Sequence, residues 1–137
     1  MSTTDIESKF NAADDEVQVE VAPPPANLMG TWVADDPATR GIVKVVLANA
    51  GGTLTVHAFG ACTPSPCDWG KVKGRTYGPD VSTPRAVAFT SNYSFGFKTT
   101  ILAGHLSKGR LIVDSFNTFA AGDSRSDYYS SGSFHRV

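Results

Sequence analysis

The sequence predicts an all-β fold: a single eight-stranded antiparallel up-and-down barrel behind a mobile N-terminal leader. Three observations carry the prediction. After residue 27 no segment holds a helical hydrophobic period, whereas apolar and β-branched runs of about 6 to 10 residues recur between turn signals. Charged residues are 18% of the 137 and hydrophobic residues 41%; the shortfall in charge suits strands built from Ser, Thr, Val and aromatic residues. The connections are short, so sequence neighbours pair in the sheet, and eight such strands leave two exposed edges unless the first closes on the last. A chain of this length is one domain with one core, which excludes a two-domain enzyme with a separate cofactor domain.

The division falls at residue 27, with an acidic leader over 1–27 and the barrel over 28–137. In the leader, Thr4-x-x-Glu7 is a capping box ahead of Ile6 and Phe10, which share a helical face and suggest a short helix over 4–13. Val17, Val19 and Val21 alternate like a weak strand, and Ala22-Pro23-Pro24-Pro25-Ala26 imposes an extended spacer. A disordered tail is the competing reading of the whole leader.

Strands are expected over 30–34, 42–49, 53–60, 69–77, 85–91, 94–106, 110–119 and 127–136. Ala50-Gly51-Gly52, Ser107-Lys108-Gly109 and Ala121-Gly122-Asp123 supply turns with Gly where a positive φ is needed. Asp36-Pro37-Ala38-Thr39-Arg40-Gly41 has an acid at the N-cap, Pro at the first helical position and a terminating Gly, predicting one helical turn with Arg40 at a rim.

Charge is unevenly placed. Of 13 acids, six (Asp5, Glu7, Asp14, Asp15, Glu16, Glu20) precede residue 28 beside Lys9 alone, which leaves seven acids against 11 bases in the barrel. The acidic arm competes with phosphates for those bases, so nucleic acid is not the expected partner. No apolar run reaches membrane-spanning length and the first 25 residues lack a secretion signal, so the expectation is a cytoplasmic protein without membrane contact. Cys62 and Cys67, in CTPSPC, allow a short-loop disulfide, but a cytosol would reduce it. They read as two thiols flanking a Pro-stiffened turn.

The first strand opens with Gly30-Thr31-Trp32 and the last ends with Phe134-His135-Arg136. In these residues the chain resembles the calycin superfamily, the lipocalin and avidin barrels, in which a Gly-x-Trp of the first strand is covered by an Arg or Lys from the last. The resemblance implies that Trp32 and Arg136 form a structural plug at the closed end, with Leu28-Met29 in a short closing turn. TRGIVKVV, VHAFGAC, CDWG and RSDYYSSGSFHR are also similar to segments of an uncharacterised bacterial protein family, which implies no activity.

Site candidates follow from strand phase. In TLTVHAFG, His57 is outside if Leu54, Val56 and Ala58 face inward, and inside with Thr55 and Phe59 if the phase is reversed. Asp114, in RLIVDSFNTF, either faces solvent with Arg110 and Thr118 or lies in the cavity with its pKa raised by desolvation. Tyr128 alternates with Ser130, Gly132 and Phe134, a row of small side chains that leaves room inside a barrel. Lys71, Lys73 and Arg75 share a face with Trp69, which reads as a solvated outer surface. His57, His105 and His135 sit on separate elements, so no metal or other cofactor is expected, and phosphate loops and hydrolase elbows are absent.

The leading expectation is a barrel that binds one compact apolar ligand through Trp69, Tyr93, Phe95 and Tyr128, oriented by Asp114 or His57. The alternative is a cofactor-independent cyclase or isomerase of natural-product biosynthesis, with Asp114, Tyr128 or His57 moving the proton. A third is a protein-interaction barrel with a filled core.

Overall fold

A computed structural model describes residues 22–137, so the expected leader helix and the Val17–Val21 alternation lie outside the described residues. The strands are β1 (Gly30–Ala34), β2 (Ile42–Ala50), β3 (Thr53–Gly60), β4 (Cys67–Tyr77), β5 (Ala88–Ser94), β6 (Lys98–Ser107), β7 (Arg110–Phe119) and β8 (Tyr128–Arg136). Each pairs antiparallel with the next, and β1 pairs with β8 through Trp32↔Arg136, Val33↔His135 and Ala34↔Phe134, closing the barrel as expected.

Three local expectations are corrected. Residues 94–106 are not one strand: Gly96, at φ 84, turns the chain, and Phe95 N–H donates to Lys98 O at 2.8 Å to close a hairpin. The fifth strand begins at Ala88 rather than 85, because Ala86 N–H is bonded instead to Pro24 O at 3.1 Å. Residues 36–41 form no helical turn; Asp36 Oδ1 accepts Ala38 N–H at 2.9 Å and Asp36 O accepts Thr39 N–H, a side-chain-capped turn that β2 ends before a helix can form.

The core is the inward row of each strand. Val45 and Leu47, Leu54, Val56 and Ala58, Phe89, Leu102, Leu111 and Val113, and Phe134 are all nearly inaccessible to solvent, each large aliphatic or aromatic side chain contributing about 1.5–3 kcal/mol by burial. Phe89 lies where a side chain at residue 104 would be: a Cβ on Gly104 would collide with the edge of its ring. These side chains fill the closed half of the barrel.

At that closed end a 3-10 turn over Ala26–Leu28 precedes β1. Trp32 is 1% exposed; its indole N–H donates to Leu28 O at 2.9 Å, and the Arg136 guanidinium carbon lies 4.4 Å from its ring centroid. Arg136 Nη2 also donates to Asn27 O at 2.8 Å. The proline segment is docked rather than free, with Pro25 buried and Pro23 O accepting Thr76 Oγ1–H at 2.7 Å. Replacing Arg136 by Ala removes a cation–π contact and a hydrogen bond, for an expected loss of about 1–2 kcal/mol. Urea denaturation followed by circular dichroism should show it, and Arg136→Lys, which lacks the planar fork, should recover only part.

Candidate functional site

The open end, ringed by the loops 35–41, 61–66, 95–97 and 120–127, holds a cavity of about 240 Å³. A deeper one of about 100 Å³ shares Gly41, Ile42, Ser115 and Ser130 with it and extends to Val113, Gly132 and Phe134, so the two make one opening whose floor is the packed core. A larger groove of about 420 Å³ lies outside the barrel between the proline segment and residues 78–84. Its polar lining is already engaged: Asp80 accepts from Ser82 and Thr83, which holds its carboxyl down at about 2, and Thr76 donates to Pro23.

Trp69 reaches the open-end cavity because β4 carries a bulge. His57 pairs with Lys71 but Phe59 pairs with Asp68, so two residues, Trp69 and Gly70, stand opposite Ala58. Gly70 takes φ 85, and the phase of β4 flips there. The expectation that Trp69 shares the outer face of Lys71, Lys73 and Arg75 is thereby overturned. Asp68 Oδ1 accepts Gly70 N–H at 2.7 Å and lies 2.6 Å from His57 Nε2. Those two contacts, the Gly70 bond foremost, lower the Asp68 pKa.

Inside, Trp69 packs edge-on against Tyr93 and Phe95 at centroid distances of 5.4 and 5.3 Å, and those two rings stack on each other. The Tyr93 hydroxyl accepts Ala58 N–H at 3.0 Å and donates toward Gly70 O at 2.8 Å and Val56 O at 3.1 Å. Burial raises its pKa. Tyr93 thus ties β3, the bulge and β5 together, and its phenol is fully engaged with protein groups.

Lys98 faces inward by alternation with Thr100 and Leu102, its ammonium 5.4 Å from the Phe95 ring centroid and 5.7 Å from that of Trp69. Burial, then the neighbouring Arg125 charge, lowers its pKa. Arg125 itself grips Asp123 through Nε and Nη2 at 3.0 and 2.7 Å and covers Phe119. Ser115 and Ser130 line the wall without a hydrogen-bond partner among the described residues, as does Arg40 at the rim. Asn117 Oδ1 accepts from Thr100 at 2.8 Å. Tyr128, half exposed, lines the mouth and stacks on Phe119.

The remaining candidates face outward. Asp114 accepts the Tyr129 hydroxyl at 2.9 Å on the outer surface, so the cavity alternative for this carboxylate does not hold. His57 is outside, between Asp68 and Phe59, with Lys44 over the far side of Phe59. His105 is exposed, and His135 Nδ1 meets Asp35 Oδ1 at 2.6 Å, pointing away from the plug. Among the described residues no three His, Cys, Asp or Glu side chains gather at one point, and no helix is long and apolar enough to cross a membrane. Cys62 and Cys67 are bonded to each other, not free thiols; the loop brings their Cα atoms to 5.4 Å, within disulfide range, and both line the cavity.

Sequence reasoning overlooked Lys98 and Ser115. Recognising Gly96 as a turn would have started β6 at Lys98 and shown its inward phase; Ser115 follows Val113 on the inward row of β7. No protein-family model, curated protein or solved structure matches the chain.

Two outcomes test this geometry. Tyr93→Phe should cost about 1–3 kcal/mol in denaturant melts, because Ala58 N–H and Gly70 O lose their buried partner. In a Trp32→Phe background Trp69 is the sole indole. The Asp68 clamp, whose pKa is lowered on folding, is at full strength above the ordinary carboxylate range near about 4 and is lost as pH falls below it. Trp69 emission should therefore still be unshifted at the ordinary carboxylate pKa of about 4 and move red only at lower pH, and Asp68→Asn should show the shifted emission already at neutral pH.

Proposed function

We propose that this chain is a calycin-like barrel that binds one compact small molecule in its open end. The observation that carries the reading is the open-end cavity, lined by the buried residue Ser115, the exposed Ser130 and the partly buried Lys98, whose polar groups have no hydrogen-bond or ion-pair partner among the described residues. A bound molecule supplies what they lack. Trp69 and Ile42 provide the apolar wall, while Tyr93 and Phe95 support Trp69 from behind. The ligand expected from sequence was apolar; Lys98, Asn117 and the serines favour one with polar atoms.

Binding is better supported than catalysis, because neither Asp114 nor His57 reaches the cavity and no carboxylate or imidazole stands beside Tyr128 in its lining. The interaction barrel with a filled core fits only the closed half. The Cys62–Cys67 bond favours an oxidising compartment over the cytoplasm.

Native mass spectrometry of protein isolated from its own host tests the reading. One co-purifying small molecule is expected, and Ser115→Leu, which fills the cavity, should release it without changing the far-ultraviolet circular dichroism. Retention of the same mass by Ser115→Leu places the ligand elsewhere and removes the proposal.

A further inference from the structure

We infer that the molecule held at the open end is a compact organic anion, a carboxylate on a small, partly apolar body, received by Lys98 and Arg40 at the mouth and by the serine hydroxyls. The inference rests on the cavity being a ligand site and goes further by naming the ligand's charge and chemical class.

The lining contains two cations and no carboxylate: Arg40 and Lys98 are present, and neither Asp nor Glu is. Arg40 has no partner and Lys98 has only the two rings, with no carboxylate within ion-pair distance among the described residues. Carboxylates near the mouth are engaged elsewhere. Asp123 is gripped by Arg125, Asp68 by Gly70 and His57, and Asp127 accepts Phe119 N–H at 2.9 Å. The cationic pair therefore has no internal answer, and a bound cation would meet two like charges in a partly desolvated cavity, where their repulsion is strong.

The uncharged groups point the same way. Trp69, whose indole N–H can only donate, lines the cavity with no acceptor for it among the described residues, and the Ser115 and Ser130 hydroxyls are free to donate. The side-chain oxygen of Asn117 already accepts one hydrogen bond, from Thr100. The lining thus offers two cationic donors and no anionic acceptor, with hydroxyls that can donate as well as accept, an arrangement that suits a carboxylate through charge-assisted hydrogen bonds. The pKa of Lys98, lowered chiefly by burial, is consistent with an ammonium awaiting a counter-charge.

Size separates an organic acid from an inorganic ion. A volume of about 240 Å³ equals about eight waters of bulk liquid, more than one phosphate fills, and the Trp69 and Ile42 walls favour carbon over water. An organic acid of about ten heavy atoms satisfies both the apolar walls and the donors.

The test is calorimetric titration of the full chain with four probes: benzoate, neutral benzamide of the same shape, cationic benzamidine and inorganic phosphate. Benzoate is expected to bind at least tenfold more tightly than the other three, with affinity falling as salt is raised. Lys98→Met should weaken benzoate at least tenfold with unchanged thermal melting, and Lys98→Arg should restore most of it. Equal binding of benzamide or benzamidine overturns the anion and leaves the ligand site standing; phosphate matching benzoate overturns the organic body. Failure of all four to bind, with no co-purifying molecule, overturns both the inference and the site.

Discussion

Everything in this molecule depends on β1 pairing with β8. Without that pairing the sheet would be open, with two unsatisfied edges and no interior; with it, the inward rows of eight strands share one enclosed volume. The seam is short, with three residue pairs between the strands, yet it is reinforced where it is weakest. Arg136, the last residue of β8, lies over Trp32 of β1 and reaches past it to Asn27, so one side chain joins the end of the barrel to the segment that precedes it. The indole in turn holds Leu28 through its N–H. Cation, ring and carbonyl make a closed end that keeps water from the core and leaves the opposite end as the way in.

What fills that end is decided by strand phase, and phase is controlled by bulges. In a regular β4 the inward row of Val72, Gly74 and Thr76 would continue through Gly70 and place Trp69 outside beside Lys71. The extra residue at Trp69-Gly70 reverses the order, and the Asp68 carboxylate holds the reversal by accepting the Gly70 amide while His57 braces it from β3. A second irregularity, between Ile42 and Lys44, likewise lets Ile42 face inward in the same barrel as Val45 and Leu47. Both lie toward the open end, so the closed half is packed on regular strands and the mouth is shaped by departures from regularity.

This explains which parts of the molecule were legible in the sequence. Strand count, closure, the three Gly-containing turns and the Trp32–Arg136 pair follow from alternation, turn chemistry and the cost of free edges, which act locally or through simple topology. The inward phase of β3, with His57 outside, follows from Leu54, Val56 and Ala58. The site was less legible, because alternation breaks down where it lies. Trp69 was assigned the wrong face since nothing in period-2 reasoning anticipates a bulge, although Gly directly after Asp-Trp was a visible cue. Lys98 was hidden inside an overlong strand, and Asp114 attracted attention as a charge in an apolar run whose outer neighbour, Tyr129, only the register reveals. The disulfide was set aside on grounds of compartment, where loop geometry was the better guide.

Because the plug joins the first strand to the last, the cylinder cannot be completed until both have been synthesised. Until β8 has been made, β1 has no partner on its second side, leaving the nascent sheet with two bare edges and a half-covered core. Hairpins such as β6–β7 can form early from local contacts, but the seam must wait for a long-range encounter of the kind that slows folding. The vulnerable interval for misassembly is therefore the one before β8 is available, and changes beside Arg136 act on the seam itself.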